Sequence, residues 1–547
     1  MELRIVYRLL RKVSDWALVS FYSETYVDSG EQNVPKDTPV IITPCHHNEL
    51  IDVATLAATI PHRRKVSFWA KSTTFSHPVL GPILSSSGAI PVRRNPDKVD
   101  SATSNAALFD ASTAALARNQ VIGVFPEGTS YTEPAIAQIL SGAAWAALEF
   151  MRSQHKHGKT GSVVIIPVGI VYTNKSKFRS RVHVEYGLPI DMTSYISSSL
   201  FEGPDPEAER AVVKAVMKDV EAQILERTIN APDWETLYAA QMTRSILWGD
   251  ERNVKLKDWL VVTQTLVRLF SPSSSEEDVE LVSVKRALTK YFSLLHYANL
   301  THAEVDQLIR GYGSFPAQSF IFRFLLIALR TLINPSFLLF IPVFITHIPA
   351  YLLAGLGSKY LAPPGEEESQ AQFKVILGGI GAGLGAGMSS YWITKLGKAF
   401  KPQLFHGNGM RSKLLLWALT AWILSKSHWA LVDSNYRRFR RLRAVSKILL
   451  GVLQPRSWDL SPAQLTAYET PPAPAANPFL KQKEGFAPAL GGRAWLKAQP
   501  RPVPSRKIIF HLLLARRSAL SALARHSQSM RSTEKRVLVD FGGIFPE

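Results

Sequence analysis

The chain is short of cysteine: its 547 residues include one, Cys45. That excludes an intrachain disulfide and any cysteine-rich metal knuckle. Acidic residues are also scarce, with 44 Asp and Glu against 63 Lys and Arg and a net charge of +19. Such an imbalance asks for an anionic partner: nucleic acid, a phospholipid surface or phosphorylated substrates. Most catalytic signatures are missing, since there is no GxSxG elbow, Walker loop, HExxH or paired CxxC. Apolar residues are plentiful at 46%, with 20% charged. That composition excludes a disordered polymer, and the length suits two or three domains.

Charge and hydropathy divide the chain. The first 22 residues read as an amphipathic helix rather than a signal peptide, because charges interrupt every apolar run. Val6, Leu9, Leu10, Val13, Trp16 and Ala17 fall on one face, and Arg4, Arg8, Arg11 and Lys12 on the other. Two readings stay open: a helix packed on the domain behind it, or one lying in a membrane interface. From about residue 38 to 200, β-branched runs alternate with helical patterns. Val40-Ile41-Ile42-Thr43, Val66-Ser67-Phe68-Trp69, the run 121–125, Val163-Val164-Ile165-Ile166 and Val182-His183-Val184-Glu185 read as strands. The alternation predicts an α/β domain with a mainly parallel sheet flanked by helices. Residues 204–312 read as a helical subdomain, opened by Asp205-Pro206 and holding a Thr301-His302-Ala303-Glu304 capping box.

Residues 335–357 contain no Lys, Arg, Asp or Glu, and 23 residues can cross a hydrocarbon core of about 30 Å. After a loop with Glu366, Glu367 and Glu368, residues 375–393 are uncharged and rich in glycine. Gly379, Gly383 and Gly387 recur every four residues, as do Gly381 and Gly385, a pattern of close helix packing rather than a nucleotide loop. The two segments predict a transmembrane hairpin; 414–424 is too short to span and reads as interfacial or re-entrant. Residues 431–547 hold 20 Lys and Arg against 7 Asp and Glu. Their run Arg437, Arg438, Arg440, Arg441 and Arg443 places that side, and with it the α/β domain, in the cytosol, with the acidic loop opposite. The Pro- and Ala-rich stretch 455–505 reads as poorly ordered, and 508–525 as a basic amphipathic helix. The expected division is therefore 1–27, 28–203, 204–312, a membrane region 313–430, and 431–547.

Candidate chemistry concentrates in the α/β region. His47-Asn48-Glu49-Leu50-Ile51-Asp52 follows a strand and opens a helix, placing His47 at the edge where α/β sites form. Asp52, in the first helical turn, would hold one imidazole nitrogen and raise the basicity of the other. Gly88-Ala89-Ile90-Pro91-Val92-Arg93-Arg94 sets two guanidinium groups after an apolar turn, suited to gripping a phosphate. Phe125-Pro126-Glu127-Gly128-Thr129-Ser130 ends a strand with a carboxylate, backbone amides and hydroxyls. Ile166-Pro167-Val168-Gly169 follows on the next strand. Lys71, in Trp69-Ala70-Lys71, reads either as a contact to phosphate or CoA or as a solvated lysine. A metal cluster of His46, His47 and Glu49 is disfavoured because adjacent histidines do not easily converge on one ion, and Cys45 reads as a small packed thiol.

In these four ordered blocks the sequence resembles the glycerolipid acyltransferase family over roughly residues 38–190. Its flanking style resembles fungal-type enzymes acting on glycerol 3-phosphate or dihydroxyacetone phosphate. The resemblance implies an acyltransferase-like fold and acyl transfer from acyl-CoA, a co-substrate, with no cofactor and no metal. It makes His47 the general base and Asp52 its orienting partner, with Arg94 on phosphate and Arg93 beside it. Glu127, Gly128 and Thr129 would shape the acceptor site and Pro167 the pocket. Two positions depart from the family pattern: Arg93 replaces the residue usual before the block-two arginine, and Ser130 replaces an arginine. The expected partners are acyl-CoA, a phosphorylated acceptor and membrane lipids rather than nucleic acid, at the endoplasmic reticulum membrane in a multi-pass arrangement. Lysophosphatidate acylation and a catalytically silent scaffold are the competing expectations.

Overall fold

The computed structural model describes residues 5–92, 102–159, 161–203, 205–271, 279–309, 317–400, 409–480, 492–530 and 532–546. They divide into two compact units. The first comprises Met1–Asn230, Glu366–Gln372 and Ala475–Gly491, and the second Ala231–Gly365, Phe373–Pro474 and Gly492–Glu547.

The first unit is built on an eight-stranded sheet: β1 (Glu24–Asp28), β2 (Val40–Pro44), β3 (Val66–Lys71), β4 (Ile90–Val92), β5 (Val121–Gly123), β6 (Val164–Tyr172), β7 (Arg181–Tyr186) and β8 (Ile190–Asp191). The order is β1-β7-β6-β2-β5-β3-β4, with β8 paired to β6. The strands from β6 to β4 run parallel, with Val40 opposite both Val121 and Val164. β7 and β8 pair antiparallel to β6. The expected mainly parallel sheet is thus a mostly parallel mixed one. Val40, Ile41, Ile42, Val121 and Ile122 are fully buried, as near-continuous β-branched runs are when both faces of a sheet are covered. Flanking helices include Glu49–Thr59, Ala102–Leu116, Gly142–Lys156 and Pro206–Glu226. The last starts on Asp205, whose carboxylate accepts from the Ala208 N–H at 3.0 Å.

The N-terminal helix Ile5–Phe21 packs on the sheet domain through a different face from the apolar one expected. Tyr7, Leu18 and Phe21 are buried, and Arg11 donates to the carbonyls of Ala57 and Arg63 at 3.0 and 2.6 Å. Ile5, Leu9, Val13 and Trp16 lie exposed. The inward line consists of an aromatic ring, a guanidinium that closes backbone carbonyls, and two apolar groups, so a simple apolar-inside rule misassigned it.

The second unit is helical. Both halves of the capping box form, Thr301 N–H to Glu304 at 2.8 Å and Glu304 N–H to the Thr301 hydroxyl at 3.4 Å. Among the described residues one helix, Pro335–Tyr360, is long and apolar enough to cross a membrane. The second segment of the expected hairpin is helical, Gln370–Phe400, but its glycines dilute its apolar character. Those glycines pack: a Cβ on Gly381 would lie 2.6 Å from the Ala350 backbone, and one on Gly385 would lie 1.9 Å from the Thr346 carbonyl. The segment 414–424 is part of a continuous 44-residue helix, Met410–Leu453, rather than a re-entrant piece.

Two further expectations are corrected. The acidic loop belongs to the α/β unit: Glu367 accepts from the Ser176 hydroxyl at 2.8 Å and Glu368 from Thr132 at 2.6 Å. A loop bonded to that domain cannot face the opposite side of a bilayer from it. In the stretch expected to be poorly ordered, Tyr468 is buried and donates to the Arg501 carbonyl at 2.8 Å. Backbone groups packed this way are satisfied without regular structure.

Candidate active site

β2 delivers its chain to the C-terminal edge of the parallel strands. There Cys45 is buried, donating its N–H to Val168 O at 3.0 Å and accepting at sulfur from Ile170 N–H at 3.1 Å. Burial pushes its thiol well above the ordinary range, so it anchors the turn as an inert small group. The next residue, His46, emerges beside the first turn of Glu49–Thr59.

Asp52 in that turn is fully buried and carries three hydrogen bonds. Oδ2 accepts from His46 Nδ1 at 2.9 Å and from Asn48 N–H at 2.7 Å, and Oδ1 accepts from the Tyr172 hydroxyl at 2.6 Å. Because an ionised carboxylate only accepts, its position assigns the proton to Nδ1 and leaves Nε2 the basic lone pair. Among the described residues Nε2 has no hydrogen-bond partner. The His46 ring stacks on Phe125, centroids 3.9 Å apart, and the His46 backbone N–H donates to Glu127 Oε1 at 2.5 Å. The first and third sequence blocks thus meet on His46.

The expected His47–Asp52 pair does not form. Successive side chains of an extended strand end point to opposite sides, so one of two adjacent histidines can face Asp52, and that one is His46. His47 turns toward the third block, with Nε2 4.0 Å from Glu127 Oε2 and its ring edge-on to Tyr131. Burial and the nearby Lys175 ammonium lower its imidazole to about 4.

The third block is held rigidly. Glu127 is fully buried, and burial raises its carboxyl to about 7. Gly128 has φ +73°, a backbone conformation that favours glycine. Thr129 and Ser130 are buried. The Ser130 carbonyl accepts from Asn477 at 2.8 Å, and Gln138 donates to the Glu127 carbonyl at 2.8 Å and to Phe479 O at 3.2 Å. Lys71 is exposed at the end of β3, its ammonium 5.7 Å from the Phe479 ring centre. Pro167 lies buried within β6, opposite Thr43. β4 ends at Val92 on the same sheet edge as His46; Arg93 and Arg94 lie outside the described residues.

Several residues at this edge carried no sequence signal. Tyr172 orients Asp52, and the Lys175 ammonium reaches Thr132 Oγ1 at 2.7 Å and the carbonyls of His47 and Tyr131 at 3.4 and 3.5 Å. Gln372 bonds Glu49, whose carboxyl is raised to about 7 by burial and then by Glu368 and Glu366. Among the described residues no three His, Cys, Asp or Glu side chains are grouped to hold a metal ion.

An imidazole–carboxylate couple at the lip of a mostly parallel sheet is suited to acid–base chemistry. Residues 26–171 match the acyltransferase family, and the α/β unit is an acyltransferase domain. The chain is similar to Glycerol-3-phosphate O-acyltransferase 2 of Saccharomyces cerevisiae, 27% identical over 256 residues, covering 46% of this chain and 32% of that protein. Glycerol-3-phosphate O-acyltransferase 1 of the same yeast is 28% identical over 230 residues, 42% of this chain and 29% of that one. An uncharacterized acyltransferase of Schizosaccharomyces pombe is 31% identical over 132 residues, 24% of this chain and 18% of that one. The chain therefore spans about a third of the length of the two budding-yeast relatives. Among solved structures, the 1-acyl-sn-glycerophosphate acyltransferase of Thermotoga maritima matches at 18% identity and a TM-score of 0.26, covering 40% of this chain and 79% of that one.

Proposed function

We propose that the protein is an acyl-CoA-dependent O-acyltransferase that esterifies the sn-1 hydroxyl of glycerol 3-phosphate or dihydroxyacetone phosphate. The observation that carries this reading is His46, bonded to buried Asp52 through Nδ1 and unengaged at Nε2. An alcohol is a poor nucleophile at neutral pH, whereas a thioester carbonyl is already activated. The chemistry therefore needs a base and positioning more than a metal or a covalent stage. His46 Nε2 takes the hydroxyl proton as the oxygen attacks the thioester carbonyl. Asp52 stabilises the imidazolium that results. Collapse of the tetrahedral intermediate expels the CoA thiolate, which recovers the proton from His46, leaving an ester and free CoA thiol.

His46 replaces His47 as the proposed base, since an imidazole lowered to about 4 accepts a proton poorly near neutrality. Arg94, Arg93 and Lys71 are proposed to serve the anionic groups of the substrates, and Glu127, Gly128 and Thr129 to shape the acceptor pocket. The site of action is proposed to be the endoplasmic reticulum membrane. Two surfaces support lipid contact: the helix Pro335–Tyr360, and the exposed stripe Ile5, Leu9, Val13 and Trp16, bordered by Arg8 and Lys12. With the acidic loop held by the α/β unit, both lie on the same, cytosolic side in this scheme.

The test is transfer from radiolabelled acyl-CoA in membranes, with glycerol 3-phosphate, dihydroxyacetone phosphate and lysophosphatidate offered in turn. Preferred esterification of a three-carbon phosphate supports the reading. Preference for lysophosphatidate moves the acceptor to the competing class, and no transfer to any of them refutes the enzyme.

A further inference from the structure

We propose that Lys175 is the phosphate-gripping cation of the acceptor pocket, taking a phosphomonoester on either a soluble three-carbon alcohol or a lysophospholipid. The assignment rests on the acyltransferase reading above and extends it to a residue that none of the four motif blocks contains.

Lys175 lies three residues beyond the end of β6, on the edge to which β2 delivers the histidines. It is stitched to the histidine turn from both sides: its carbonyl accepts from the Asn48 amide at 3.1 Å, and its ammonium donates to the His47 carbonyl at 3.4 Å. All three oxygens around the ammonium are neutral: Thr132 Oγ1, His47 O and Tyr131 O. Among the described residues no carboxylate lies within ion-pair distance of it. Glu368 stands one hydroxyl away, accepting from the Thr132 side chain that Lys175 also bonds. Glu127 is buried and forms no ion pair with it, though the ammonium favours the charged form of its carboxyl.

A part-buried ammonium whose direct hydrogen-bond partners are all neutral oxygens can take an anion as a charge-assisted partner. Lys175 places that charge against residues 131 and 132, next along the chain from the third block, and within reach of the turn that carries the proposed base. A phosphate held at that point leaves the alcohol end of a short acceptor free to approach His46.

The test is binding of glycerol 3-phosphate to the purified full chain without acyl donor, followed by calorimetry and thermal shift. Glycerol serves as the uncharged control and lysophosphatidate in detergent as the lipid arm. Lys175→Met should weaken glycerol 3-phosphate at least about 10-fold and leave glycerol unchanged. Lys175→Arg should recover to within about 3-fold. Thr132→Ala, which removes the neutral partner but keeps the cation, should also stay within about 3-fold. A matching loss in the lipid arm means that the pocket takes the phosphate from either source; a loss confined to one arm names the source. The assignment is overturned if Lys175→Met binds like the unmodified chain. It is equally overturned if Lys175→Arg and Thr132→Ala lose as much as Lys175→Met, or if the unmodified chain binds neither phosphate. Phosphate binding that depends on Lys175 in a protein that transfers no acyl group would refute the enzyme reading while leaving this one standing.

Discussion

The two units treat water differently. In the α/β unit the central strands β2, β5 and β6 are buried along nearly all their length, and buried carboxylates beside them are hydrogen-bonded: Asp52 carries three partners, and the Glu127 carboxylate takes the His46 backbone amide. In the helical unit, Pro335–Tyr360 has 11% of its most apolar window buried, with Leu339, Ile345 and Leu352 turned outward. Polar groups beside this helix serve helix packing, as where Tyr351 and His428 bond at 2.7 Å. One unit is finished in water and positions chemistry. The other exposes a surface that suits an apolar solvent.

The contrast breaks first at the histidines. His46→Ala should cost about 10²–10⁴-fold in transfer rate with membrane association intact, while His47→Ala should cost less than about 10-fold. Equal losses, or the reverse order, would remove the couple from the mechanism. Next in size is Ile345→Arg, because a charge near a helix centre costs about 2.5–3.5 kcal/mol in a bilayer. Flotation assays should show the variant leaving the membrane fraction while turnover in detergent is kept. Unchanged flotation would mean that this helix is not the anchor. Gly385→Val forces a side chain into the Thr346 carbonyl and should destabilise the helical unit by about 1–3 kcal/mol. Hydrogen exchange should localise the loss to 335–400 and spare the sheet.

The smallest effect is with pH. Burial raises Glu49 and Glu127 from an ordinary 4.5 to about 7, so the folded state favours their protonated forms. Their contribution is complete below about pH 4.5 and is lost as pH rises through 7. Thermal unfolding of the α/β unit should therefore ease between pH 5.5 and 8, by about 1 kcal/mol or more per group. Glu49→Gln should flatten part of that slope; an unaltered slope would show that Glu49 does not titrate there.

How much could be read beforehand follows the same divide between local and distant causes. β2, β3 and β6 were legible from β-branched runs, and the long helices from their period. β4 was not, being three residues around Pro91, nor was β1, whose Glu24-Thr25-Tyr26-Val27-Asp28 lacks an apolar alternation. Asp52 was legible as the orienting acid, but its partner was not. Two neighbouring histidines differ by one residue of spacing, and only the direction in which the strand end turns separates them. Lys175, Tyr172 and the docked Glu366–Gln372 loop depend on contacts that no local pattern encodes; three glutamates in a row read simply as a solvated loop.

That docked loop bears on how the protein is made. The acyltransferase domain draws on Glu366–Gln372 and Ala475–Gly491 as well as Met1–Asn230. A ribosome that has finished the sheet must therefore run on for roughly tens of seconds before the last contributing segment emerges. Until Glu366–Gln372 emerges, Glu49, Thr132 and Ser176 lack the side chains that bond them in the finished fold, and until Ala475–Gly491 follows, the Ser130 carbonyl lacks Asn477. A fragment cut after Asn230 would lack those partners, so expression of the α/β unit should keep the chain through Gly491.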